Sequence, residues 1–111
     1  MNINNLNTQE INWDLIPQTE LAGTTGKSLF KEIISGSYRI RRAEYLSGYT
    51  SAEWCDKGHI IYCIKGALTL NFKNREAVTL REGNSIILGS DDHHTASAEN
   101  ESAVIFIVDN I

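Results

Sequence analysis

The chain has 111 residues, a formal net charge of −4 and 41% hydrophobic side chains. That is room for one domain with a single core. No apolar run approaches the roughly 20 residues that span a bilayer, and the start, Met1 to Asn7, has neither the basic region nor the apolar stretch of a secretory signal. The acidic balance disfavours nucleic acid as a partner, because phosphate binding needs a basic face. Arg39, Arg41 and Arg42 are too few to reverse it, and strand alternation splits them between two faces. No membrane contact and a cytoplasmic location are expected.

In chain order, residues 1–27 read as a polar N-terminal arm with a short strand near 11–16, ahead of Pro17. Gly23-Thr24-Thr25-Gly26-Lys27-Ser28 looks like a phosphate-binding loop. That loop requires a glycine where Leu21 stands, a strand before it and a helix after it. The segment is a glycine-rich turn, and no nucleotide cofactor is expected. From residue 28 onward the pattern is strand and turn: 28–34, then 38–46, closed by Ser35-Gly36-Ser37 and Ser47-Gly48. The most hydrophobic strand, 59–64, leads through Lys65-Gly66 into the alternating run 67–72. Short strands follow at 77–80 and 85–88, then one through His94 and one at 103–108. Short strands at this spacing predict an all-β antiparallel sandwich or small barrel over residues 28–111.

Four residues stand out chemically. On an extended strand Glu53 and Cys55, two apart, point to one face. His59 opens the apolar strand, and His94 lies in a later one. Carboxylate, thiolate and imidazole are all metal donors, although the same groups could bind or polarise a small organic molecule directly. Each has a plainer reading: a satisfied core histidine for His59, a small buried hydrophobe for Cys55, a solvated carboxylate for Glu53. His93 falls on the opposite face to His94 and reads as exposed. Cys63 shares parity with His59 deeper in its strand and reads as core. If Cys55 and Cys63 lie on nearly continuous extended chain they are roughly 25 Å apart. A disulfide needs Cα atoms within about 7 Å, so reduced thiols are expected.

These residues resemble the cupin family. Its first motif runs His-x-His, three or four residues, Glu, six residues, Gly. Counting back from Gly66 puts His59 at the Glu position, Cys55 at the second His and Glu53 at the first. The second motif begins with Gly and ends with His, and Gly83 and His94 fit its spacing, while Gly89 and Asp91 stand where Pro and Gly are usual. A narrower likeness is to the small single-domain cupins named for an Asp-His-Cys-Trp signature. Trp54-Cys55, Lys57-Gly58-His59 and Phe106-Ile107-Val108-Asp109 match that group, and Ala52-Glu53 replace its Asp-His.

The resemblance implies a single-domain double-stranded β-helix, or jelly roll, with Glu53, Cys55, His59 and His94 converging as metal ligands near its open mouth. That donor set suits Zn²⁺, and also Fe²⁺, Ni²⁺ or Cu²⁺. In such barrels the face carrying Arg41, Ala43 and Tyr45 points inward, which makes Arg41 and Tyr45 candidate substrate contacts and Arg41 an anchor for a carboxylate. Trp54 then points outward or toward a second subunit, and a homodimer is expected. Three functions compete. One is a metal-dependent enzyme of dioxygenase, isomerase or lyase type acting on a small molecule. The second is a metal-free module holding a polar metabolite, and the third an interaction domain with a vestigial site. With no DNA-binding segment in the chain, a two-domain ligand-sensing regulator is not expected.

Overall fold

The computed structural model describes residues 6–111. Ten strands follow one another: β1 (Thr19–Ala22), β2 (Lys27–Ser35), β3 (Tyr38–Tyr45), β4 (Tyr49–Thr50), β5 (His59–Lys65), β6 (Ala67–Phe72), β7 (Val78–Arg81), β8 (Ser85–Leu88), β9 (His94–Ala98) and β10 (Ala103–Asn110). They form two antiparallel sheets, one six-stranded with the order β1-β2-β3-β10-β5-β8 and one four-stranded with the order β4-β9-β6-β7. The all-β antiparallel architecture matches the expectation from sequence.

Alternation of side chains decides what each strand presents to the other sheet. Along β5, His59, Ile61 and Cys63 are buried while Ile60, Tyr62 and Ile64 are exposed. Along β10, Ala103, Ile105, Ile107 and Asp109 are buried. The smaller sheet answers with Leu68, Leu70, Leu80 and Ala96, and these residues form one core with Ala43, Leu88 and Cys63. Cys63 is fully buried, as its parity predicts. Fully burying each such aliphatic side chain contributes about 1.5–3 kcal/mol, so the core is what holds the two sheets face to face.

Two glycines are required by close approach. Gly66 links β5 to β6 at a φ of +80°, and a Cβ there would overlap the Ser102 carbonyl oxygen. A Cβ on Gly23 would overlap the Thr50 carbonyl oxygen. The glycine-rich turn therefore lies against β4, and Thr25 forms a bridge with Thr50.

The N-terminal segment differs from its reading in sequence. Where a strand was expected near 11–16, Trp13–Leu15 makes a single 3-10 turn, with the Asn12 side chain accepting from the Asp14 amide at 3.2 Å. The strand comes later, as β1, pairing with β2 at the sheet edge. All four of its residues are exposed, so it has no alternating burial to betray it. Among the described residues no helix is long and apolar enough to cross a membrane.

The outer face of the larger sheet is apolar across three strands, where Ile60 of β5 lies between Ile87 of β8 and Val108 of β10. Ile60 is 54% and Ile87 80% exposed. Beside them Trp13 packs edge-on against Phe106 with ring centroids 6.4 Å apart, and Lys31 Nζ donates to the Trp13 carbonyl at 2.8 Å.

Leu68 is wholly buried between the sheets. Leu68→Ala is expected to lower the unfolding free energy by about 2–5 kcal/mol, read from urea denaturation. A loss well below that range would mean the sheets do not meet as described.

Candidate metal centre

At one end of the space between the sheets, Cys55, His59 and His94 converge, with one potential donor atom from each lying within 4.8 Å of the others. The two sheets both contribute. His59 begins β5 in the larger sheet and His94 begins β9 in the smaller one. Cys55 is held by backbone pairing, its N–H donating to the His94 carbonyl at 2.8 Å and accepting the His94 N–H on its own carbonyl at 3.0 Å. Directly opposed residues of an antiparallel pair project to the same side, so the buried His94 brings Cys55 to the same interior.

A polar partner lies beside the outer ring nitrogen of each histidine. His94 Nδ1 lies 3.0 Å from the Asp92 carbonyl. A carbonyl only accepts, so Nδ1 is the protonated nitrogen of this contact, and Nε2 is the nitrogen turned to the cluster. His59 Nδ1 lies 2.8 Å from Asp109 Oδ2, a short contact that is poorly aligned as a hydrogen bond. Its Nε2 faces Cys55 Sγ at 3.4 Å. Partners of this kind on the far nitrogen are what orient metal-binding histidines.

Asp109 is the centre of the local electrostatics. Its side chain is completely buried. It accepts from Arg39 Nε and Nη2, both at 2.9 Å, and from Arg41 Nη2 at 3.2 Å. Burial alone would raise its pKa, but the Arg39 hydrogen bonds and the Arg41, Arg39 and His59 charges outweigh that and hold it below the ordinary carboxylate value. His59 is held down at about 4, first by burial, with Asp109 opposing and His94 and Arg41 reinforcing the shift. A neutral imidazole is the form a metal needs. Tyr45 is pushed up to about 12, mainly by burial, and stays a neutral phenol.

The donors fit a metal. A tetrahedral site with bonds of about 2.0–2.3 Å spaces its donors roughly 3.3–3.6 Å apart, and the Cys55–His59 separation of 3.4 Å already has that spacing. Three protein donors leave a further position open, as in catalytic zinc sites. The cluster opens into a cavity of about 180 Å³ that Arg39, Arg41, Tyr45 and Glu53 also line.

The candidate site residues Glu53, Cys55, His59, His94, Arg41 and Tyr45 all border this cavity, though in unequal roles. Cys55, His59 and His94 form the cluster. Glu53 is exposed at the edge of the cavity and does not belong to the three-donor group. Alternation fails there because the chain bends at Ala52–Glu53 instead of running extended. Ser51 pairs with Ala96, and Cys55 with His94, so residues 52–54 bow outward against the single Thr95. Trp54 projects from this bow at 46% exposure, with Lys73 Nζ 5.1 Å above its ring. His93 is exposed, as parity predicts. Asp109 and Arg39 are functional residues that sequence reasoning alone does not single out. The signal for Asp109 is the parity of β10, which continues the buried series Ala103, Ile105, Ile107 onto a carboxylate, and Arg39 shares the parity of Arg41 on β3.

With chelator present, stability is expected to fall as the pH drops from about 6.5 toward 4. In that window the unfolded chain protonates its imidazoles while folded His59, at about 4, does not, so the unfolded state binds more protons. The slope due to His59 is at most roughly 1.4 kcal/mol per pH unit. His59→Gln should remove that slope and leave the further loss at lower pH, where Asp109 is protonated. Urea unfolding across pH measures both, and a wild type flat between pH 6.5 and 4 would contradict a neutral, buried His59.

No family model matches the chain, and no curated protein matches it. Solved structures do match, with little sequence in common. A predicted oxalate decarboxylase from Thermotoga maritima aligns with a TM-score of 0.76 at 13% identity, over 93% of this chain and 99% of its own. A cupin-2 domain from Rhodospirillum rubrum aligns with a TM-score of 0.74 at 13% identity, over 95% of this chain and 76% of its own. Fe(II)-HppE, solved with an alternative substrate, aligns with a TM-score of 0.74 at 12% identity, over 92% of this chain and 60% of its own. These likenesses, together with the two facing antiparallel sheets, show that the chain has the cupin fold.

Proposed function

We propose that this protein holds a divalent metal through Cys55, His59 and His94 and binds a small polar organic molecule beside it. The observation that carries the reading is the convergence of three donors from both sheets, each histidine engaged on its far nitrogen. Fe(II) in the structurally similar HppE supports a metal in this fold, and the thiolate donor suits Zn²⁺, with Fe²⁺, Ni²⁺ and Cu²⁺ as competitors. Glu53, at the cavity edge, is positioned to approach as a further ligand or to meet the incoming molecule. Residues shared with the Asp-His-Cys-Trp cupins support placement in that group, since Cys55 and His59 line this cavity and Asp109 lies against His59. A reduced thiol ligand suits a reducing compartment such as the cytoplasm.

A metal bound here would supply Lewis acidity and an open coordination position, as a dioxygenase, isomerase or lyase of the fold requires. The protein's own contribution is positioning. Asp109 orients His59, the Asp92 carbonyl orients His94, and Arg41 and Tyr45 face the space where an organic molecule would lie. The Cys55–His59 contact at 3.4 Å favours one second reading. Thiol and imidazole satisfy each other there, as in a metal-free module that only holds a metabolite.

Elemental analysis separates the two. Wild type is expected to carry or take up one equivalent of metal, and His59→Ala and His94→Ala to lose it, with affinity down at least about tenfold to a hundredfold as for perturbed metal shells. Wild type that takes up no metal on titration supports the metal-free module. Retention by both variants would place the metal elsewhere.

The apolar strip of Ile60, Ile87 and Val108 supports assembly as a homodimer, because apolar patches of this kind mark interaction surfaces. Light scattering should give twice the chain mass, and Ile60→Glu together with Ile87→Glu should give the monomer. A monomeric wild type would refute the assembly.

A further inference from the structure

Among the described residues Asp109 is the only buried acid, yet two guanidinium groups turn toward it. The division is unequal. Arg39 takes the carboxylate with two parallel bonds of 2.9 Å and has Glu32 nearby at 3.8 Å. Arg41 reaches it with one nitrogen only, Nη2 at 3.2 Å, and its Nε is buried with no hydrogen-bond partner. A guanidinium carries five N–H donors in a rigid fork, and a buried donor left unpaired is destabilising. Arg41 therefore holds unspent donor capacity inside the protein.

Arg41 lines the 180 Å³ cavity which Cys55, His59 and His94 also line. Arg41 Nη2 and His59 Nδ1 lie within 3.2 Å of the same Asp109 oxygen, so the guanidinium and the donor cluster are immediate neighbours. The volume corresponds to about six water molecules at the liquid value of roughly 30 Å³ each. It is below the 300–1,000 Å³ or so typical of sites for drug-sized ligands. The occupant is small. A guanidinium with donors left over suits the two coplanar oxygens of a carboxylate, which arginine binds bidentately and lysine does not.

We propose that the cavity takes a small carboxylic acid, its carboxylate held by Arg41 and the remainder of the molecule directed at Cys55, His59 and His94. This deepens the reading of the cavity as a ligand site, but the carboxylate contact itself needs no metal.

Calorimetric titration tests it on the full chain, metal-loaded and chelated. The probes are acetate, pyruvate and succinate, beside acetamide, succinamide and inorganic phosphate. At least one carboxylate is expected to bind with a Kd of about 1 mM or tighter, and its amide counterpart roughly ten- to a hundredfold more weakly. Arg41→Gln should weaken the carboxylate by the same factor while leaving metal uptake intact. Arg41→Lys, which keeps the charge and loses the fork, should recover only part of it.

Amides that bind as well as the acids, phosphate that outcompetes every carboxylate, or a wild type saturated by none of the acids would each overturn the proposal. So would Arg41→Gln with undiminished carboxylate affinity. The comparison of acid with amide uses wild type alone, so it stands even if Arg41→Gln fails to fold. Metal uptake is measured separately, so loss of the metal reading and loss of this one give different results.

Discussion

A single buried carboxylate organises the site. Asp109 sits where the alternation of β10 would place one more apolar residue behind Ile105 and Ile107. Burying an isolated charge costs several kcal/mol even after relaxation, so the ion persists only because cations surround it. Arg39 and Arg41 from β3 supply that charge, and the neutral imidazole of His59 from β5 packs against the same carboxylate. The three strands are neighbours in one sheet. Their register thus determines whether the charge is compensated, and a one-residue slip would turn Asp109, both arginines and His59 away from one another.

The fold divides labour between its sheets. The larger sheet supplies charge, orientation and one potential metal donor, in Asp109, Arg39, Arg41 and His59. The smaller sheet supplies His94 and, through backbone pairing, Cys55. The aliphatic residues behind the cluster, Ile61, Leu68, Leu70 and Ile107, close the cavity on the inner side. They exclude water and strengthen every electrostatic contact at the site by lowering the local dielectric. The hydrophobic core and the candidate chemistry are two ends of one interior.

Much of this was legible in the sequence because β-strand parity is a strong constraint when one face is buried. His59, Cys63, Arg41 and Tyr45 were each assigned a face by counting, and the buried positions of β5 and β10 follow the count. Where the chain leaves the extended conformation, counting fails. The bend at Ala52–Glu53 breaks the two-residue relation between Glu53 and Cys55, and nothing local in Thr50-Ser51-Ala52-Glu53-Trp54 announces it. The edge strand β1 was invisible for another reason, since with every residue exposed it has no pattern to read. Asp109 belongs to a recognisable signature, but its partners lie 68 and 70 residues away along the chain. Only the pairing of β10 with β3 brings them together.

The outward bow at residues 52–54 has a consequence for how such a protein can change over time. Ser51 and Cys55 are tied to β9 by main-chain hydrogen bonds, whereas the residues between them stand clear of the ladder. Length and side chains in that interval can drift without moving the thiol or its imidazole neighbour. Selection could thus re-tailor the rim, including Trp54 and its Lys73 companion, for new visitors while the inner chemistry is inherited unchanged.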